Sequence, residues 1–246
     1  MPWPLRVLGL GEGKNVFLET ETIFKVGLGF QFLELLQLLN LRFYFYMLHR
    51  LQGNTDLGYF SVGISLFEVS WIISRSAQAV FYANMMKSES HENVIDILNR
   101  FAKLTMFFSL FISIVILTLP DSFYVAVFGE YYSGINHSVK WFAPGAIAYN
   151  AYMVYQSYYL SKARYSGLIF INIIGFCAAI VAGYLFIPTK FFSGAAGAAS
   201  LSFIVCAVLL YLKFSYDSKQ SYLKILPDRG DFSFINSYLK SIIRKT

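Results

Sequence analysis

The chain has 246 residues, 57% of them hydrophobic and only 14% charged, with a net charge of +6 and a mean hydropathy of +0.53. That balance excludes an ordinary soluble domain, and its apolar residues gather into runs of about 20, the length that crosses about 30 Å of hydrocarbon as helix. Backbone groups in lipid must be satisfied within their own segment, and the runs lack the alternating pattern of a membrane barrel, so the expected fold is all-α.

Residues 1–22 read as an N-terminal cytoplasmic segment. Met1-Pro-Trp-Pro lacks the basic start and continuous apolar stretch of a secretory signal, which leaves the first spanning helix to direct insertion. Gly11-Glu-Gly is too short for a nucleotide loop and lacks the strand and the Lys-Ser/Thr that such a loop needs. The first span, Ile23 to Leu48, is mostly Leu, Phe and Tyr but carries Gln31, Glu34, Gln37, Asn40 and Arg42. Five further spans follow at about Leu57 to Met85, Ala102 to Leu119, Val139 to Leu160, Gly167 to Ile187 and Ala195 to Phe214. Together they predict a polytopic six-helix transmembrane lobe over 23–214.

Residues 215–246 are too polar to span. Tyr222, Phe232, Phe234, Ile235, Tyr238 and Ile242 alternate there with basic residues, which reads as an amphipathic helix at the cytoplasmic interface, with Lys240, Arg244 and Lys245 toward lipid head groups. Lys and Arg concentrate in the N-terminal segment, the second and fourth connections and this tail. The first, third and fifth connections hold only Arg50, Lys140 and Lys190. Basic residues are retained on the cytoplasmic side, so both termini are expected there. This asymmetry accounts for the net charge with no nucleic-acid partner.

Polar residues inside the first two spans carry the functional reading, because a mid-membrane charge costs about 2.5 to 3.5 kcal/mol on insertion scales and faces protein or water. At about 100° per residue, Gln31, Glu34, Arg42 and His49 share an arc of about 80°, with Asn40 pointing away. On the second span Ser61, Ser65, Glu68 and Arg75 share a similar arc. Each helix thus has a stripe with one acid and one base. Glu34 can pair with Arg75, and Glu68 with Arg42, holding the bundle together. Alternatively, Arg42 and Arg75, with Gln31 and Ser65, offer a substrate cavity whose guanidinium forks suit phosphate oxygens, and Glu34 or Glu68 takes a coupling proton or cation. His49 reads as an interfacial polar residue. Cys177 and Cys206 sit in apolar spans without metal-ligand spacing and read as packing residues. No metal cluster, cofactor motif or nucleophile-base pairing is present in the sequence, so neither a cofactor nor an enzyme is expected.

The runs Asn40-Leu-Arg-Phe-Tyr-Phe-Tyr-Met-Leu and Leu57-Gly-Tyr-Phe-Ser-Val-Gly-Ile-Ser-Leu-Phe-Glu, with Gly53 between them, resemble the seventh and eighth helices of oligosaccharide flippases in the multidrug/oligosaccharidyl-lipid/polysaccharide exporter superfamily. Val127-Phe-Gly-Glu-Tyr-Tyr, Tyr159-Leu-Ser-Lys-Ala-Arg-Tyr, Ile187-Pro and Gly194-Ala-Ala-Gly-Ala-Ala resemble later motifs of that family, in the same order. The sequence departs from the family where Phe43 or Tyr44 stands in place of a common acid. Each motif also has a plain reading. Gly129 with Tyr131 and Tyr132 suits an interfacial turn, Pro188 ends its helix, and Gly194, Ala195, Ala198 and Ala199 allow close helix approach. Lys162 and Arg164 read as cytoplasmic orientation markers.

The resemblance implies alternating access by two six-helix lobes, with a prenyl-diphosphate-linked oligosaccharide as cargo and this chain as the second lobe. A truncated gene product, a split transporter whose other lobe is a separate chain, and a homodimer of lobes all stay open. So do a multidrug or cation antiporter lobe of the same superfamily and a non-transporting membrane scaffold whose stripes are only interhelical glue.

Overall fold

The computed structural model describes residues 16–85 and 91–219. The expected interfacial helix of the C-terminal tail lies outside the described residues, as do residues 1–15. Among the described residues every regular element is helical: α1 (Val16–Leu51), α2 (Asn54–Met85), α3 (His91–Thr118), α4 (Asp121–Phe128), a 3-10 turn (Glu130–Tyr132), α5 (Asn136–Ser161) and α6 (Tyr165–Asp217). Three of them, α2, α3 and α6, contain stretches long and apolar enough to cross a membrane.

Helix α1 begins by Val16, earlier than the apolar run suggests, and α3 begins at His91 rather than Ala102. Both starts include charged and polar residues such as Glu19, Glu21, Glu92 and Asp96, which an apolar run does not delimit. The eight-residue α4 was not expected. It ends at Gly129, whose φ of 101° is available to glycine alone at little cost and turns the chain into the aromatic 3-10 segment.

Helix α6 is 53 residues long but non-helical at one position, Phe191, with φ 54° and ψ −134°. There the chain doubles back. Ser202 Oγ donates to the Gly175 carbonyl at 3.0 Å, Cys206 lies on the Ile171 carbonyl, and the Lys213 stem crosses Gly167. The two limbs are therefore an antiparallel pair corresponding to the two expected segments 167–187 and 195–214. Pro188 does not end the first limb. It lies within the helix, and the break falls three residues later, because proline disturbs the turn before it while the chain still has helical donors beyond.

Small residues let the limbs and α5 close up. A Cβ on Gly194 would lie 2.2 Å from the Phe186 carbonyl oxygen, and one on Gly145 2.3 Å from the Ser200 Cα. The Gly145 N–H donates to Ser200 Oγ at 2.7 Å. This is the close approach that small residues permit where no hydrophobic force drives helices together.

Contacts fix the directions of the segments. Gly29 meets Tyr165 and Gly183 meets Phe43, so α1 runs parallel to the first limb of α6. Trp71 packs on Tyr149 and Phe67 on Phe142, so α2 runs parallel to α5. Tyr155 bonds Asn99 and Asn150 bonds Ser109, so α3 runs antiparallel to α5. The six long segments thus alternate in direction along the chain. The start of α6 lies beside α1, and Tyr159 reaches Asp217 at the end of α6, which puts both ends of the bundle's chain on one side.

Helix α5 is the hub, packed against α2, α3 and α6. Every residue from Asn150 to Tyr159 is buried, although the segment includes Asn150, Gln156, Ser157 and several tyrosines. Its polar groups are spent on neighbours. The Asn150 amide donates to Ser70 Oγ (3.1 Å), Ser109 Oγ (2.9 Å) and its own-helix Ala146 carbonyl (2.7 Å), and Ser74 Oγ donates back to Asn150 Oδ1. Three helices meet at this one side chain.

Candidate functional site

Helix α1 carries polar groups on two faces with different roles. Gln37, Asn40 and Tyr44 lie about one turn apart and point into the bundle. Gln37 donates to Tyr152 Oη at 3.4 Å, Asn40 accepts from Ser202 Oγ at 2.9 Å, and Tyr44 donates to the Ala198 carbonyl at 3.2 Å. Tyr152 also accepts from Asn172 at 2.7 Å and stacks on Tyr149 with ring centroids 5.5 Å apart. The helical projection put Asn40 away from the charged stripe, and that inner position is where it lies.

The charged stripes face outward. Gln31, Glu34, Arg42, Ser65, Glu68 and Arg75 are all exposed. Two of them, Glu34 on α1 and Arg75 on α2, are brought to one open cavity of ≈ 480 Å³, lined also by Gly27, Phe30, Gln78, Ala79, Leu160 and Tyr165. The cavity opens near the end of the bundle where α6 begins. Arg75 bears electrostatically on Glu34, and both bear on the half-buried Tyr149.

Gln31, Arg42, Ser65 and Glu68 are not among the residues lining this cavity. Arg42 lies over the Phe45 ring, 5.2 Å from its centroid. Ser65 Oγ donates to the Ser61 carbonyl one turn back at 3.0 Å. His49 shares a 3.0 Å hydrogen bond with Asn54 at the turn into α2. Among the described residues neither Glu34 with Arg75 nor Glu68 with Arg42 forms a direct ion pair.

An arginine on an open, partly apolar cavity, with an amide at Gln78 and rings at Phe30 and Tyr165, can hold an oxyanion by its fork and a flat or cyclic group by its rings. Among the described residues no group of three His, Cys, Asp or Glu can hold a metal ion. Gln78, Phe30 and Tyr165 did not stand out in the sequence. Gln78 lies three residues beyond Arg75 but about 60° off the stripe, and Tyr165 arrives only through the packing of α6 on α1. Comparison of the chain with protein-family models, with curated proteins and with solved structures found no match.

Proposed function

We propose that this chain forms a six-span lobe of a flippase that moves a prenyl-diphosphate-linked oligosaccharide across the cytoplasmic membrane by alternating access, with both ends of the lobe on the cytoplasmic side. A second lobe, on the same polypeptide or another, completes the path. The observation that carries this reading is the outward-facing pair of charged stripes, with Glu34 and Arg75 on one open cavity. Charges exposed on a bundle made of apolar helices need water or a polar partner beside them, because lipid offers none.

The scaffold reading asks these charges to hold the bundle together. That work is done by neutral side chains, Asn150 with its serines, Asn40 with Ser202 and Gln37 with Tyr152, which leaves the stripes free for a ligand. The order of the family-like motifs and the alternating direction of the helices also fit the lobe. An arginine at the cavity favours an anionic cargo over the cations of a multidrug antiporter. Arg75, on the cavity, then contacts the diphosphate, Arg42, Gln31 and Ser65 offer further cargo contacts along the stripes, and Glu34 or Glu68 takes the coupling ion.

The test is surface glycan export in cells carrying Arg42→Ala or Arg75→Ala at normal protein levels. Loss of export supports the proposal. Export at the parental rate from both variants removes it.

A further inference from the structure

The hairpin of α6 brings two basic segments, distant in sequence, to one spot that the cavity does not use. Lys162 and Arg164 sit on the turn between α5 and α6. Lys213 lies near the end of α6 and reaches back across Gly167, where any Cβ would lie 2.6 Å from the Lys213 Cε. Glycine at that position is what lets the lysine stem lie flat on the start of α6.

Tyrosines form the floor. Lys162 Nζ donates to Tyr158 Oη at 2.6 Å and stands 4.0 Å from the ring centroid. Lys213 Nζ lies 5.5 Å from the Tyr159 ring, and Arg164 bears on the Tyr159 hydroxyl. Both tyrosines are buried, so the cations are held over fixed aromatic surfaces. The N–H groups of the turn are consumed, those of Lys162 and Arg164 by the Tyr159 carbonyl and that of Ala163 by the Leu160 carbonyl. Only the cationic side chains therefore face out.

Among the described residues one carboxylate, Asp217, is paired within this group of three cations. Asp217 takes an ion pair from Lys213 at 3.3 Å and the Tyr159 hydroxyl at 2.9 Å. Arg164 is exposed and has no carboxylate partner among the described residues. A cluster with net positive charge on a tyrosine floor, at the end of an apolar helix hairpin, has the chemistry of a basic pocket between helices that takes an anionic lipid head group.

We propose that Lys162, Arg164 and Lys213 form a binding site for the phosphate of an anionic phospholipid head group, with the acyl chains lying along the exposed apolar side of α6. The site is distinct from the Glu34–Arg75 cavity and does not depend on what that cavity carries.

The purified, delipidated chain is titrated with phosphatidylglycerol or phosphatidylcholine and bound lipid is counted by native mass spectrometry. The wild type retains one phosphatidylglycerol in preference to phosphatidylcholine. Each removed cation weakens that binding about fivefold, so Lys162→Gln with Arg164→Gln weakens it ~25-fold, while Lys140→Gln with Lys190→Gln at the other end of the bundle leaves it unchanged. Equal retention of the two lipids by the wild type, or unchanged retention by the first double variant, overturns the proposal. So does displacement of phosphatidylglycerol by inorganic phosphate at equal concentration, which makes the ligand a free anion. Displacement by an equimolar prenyl diphosphate in the wild type, absent in the first double variant, reassigns the site to the carrier lipid and also overturns it.

Discussion

Replacing Asn150 by leucine tests how the lobe is held together. The side chain has three interhelical hydrogen bonds, to Ser70 and Ser109 through its amide and from Ser74 to its oxygen, and a fourth to Ala146 within α5. Two amide protons serve three acceptors, so not all of these bonds are at full strength together. Interhelical hydrogen bonds in membrane proteins average about 0.6 kcal/mol each, which gives a loss of about 1.5 to 2 kcal/mol. Ser70 is not stranded by the change, because its Oγ already donates to the Phe67 carbonyl at 2.7 Å, but the fully buried Ser74 hydroxyl loses the acceptor it has in Asn150, so the figure is a lower bound. Leucine has the same branching but is larger, so it leaves no cavity and any overpacking adds to the loss. Reversible unfolding in mixed micelles measures the difference. A change within about 0.5 kcal/mol refutes the argument that Asn150 joins α2, α3 and α5. Ser70→Ala alone removes a single interhelical contact and lowers stability by about 0.6 kcal/mol.

Close helix packing gives a second set of expectations. Gly194→Ala places a Cβ 2.2 Å from a backbone oxygen, whereas Gly197→Ala meets nothing within 4 Å. The first lowers stability by about 1 to 3 kcal/mol and the second does not, as read by thermal unfolding in detergent. Gly175→Ala collides with Cys206 Sγ at 2.1 Å, so adding Cys206→Ala restores most of the lost stability, and failure of that rescue contradicts the packing described. Asp56 accepts the Phe192 N–H at the reversal of α6, so Asp56→Leu destabilises by about 0.5 to 2 kcal/mol, as loss of a helix cap does. Asp56→Asn, which keeps an acceptor, loses much less in the same assay.

The sequence showed the helical segments because runs of about 20 apolar residues are set by the bilayer itself. It also separated the two faces of α1, since a fixed 100° step puts Asn40 about 120° from Glu34 whatever the helix packs against. Three things depended on neighbours and were not legible. The hub role of α5 was hidden because its tyrosines, asparagine and serines make it one of the less apolar segments, and only the surrounding helices show that those groups are satisfied. The reversal at Phe191 was displaced from Pro188 because the residue that breaks a helix is decided by the turn that follows. The cavity partners of Arg75 were half visible. Glu34 was marked by its charge, but Phe30 and Tyr165 look like any lipid-facing aromatics until α6 is laid against α1.

The account rests on the stripes of α1 and α2 facing water inside the membrane, and cysteine accessibility tests this most directly. In a background with Cys177 and Cys206 replaced, single cysteines at Glu34, Ser65, Glu68 and Arg75 are labelled in intact membranes with a maleimide that needs ionised thiol. Cysteines at Phe32 and Ile73, which are exposed at 47% and 39% and lie about 120° from the centre of the stripe on their helix, serve as the lipid-facing reference. The expected result is fast labelling at the four stripe positions, slowed by the lipid-linked cargo at Glu34, which shares the cavity with an intact Arg75, and little at the two reference positions. Equal, slow labelling at all six positions contradicts an aqueous path along the stripes.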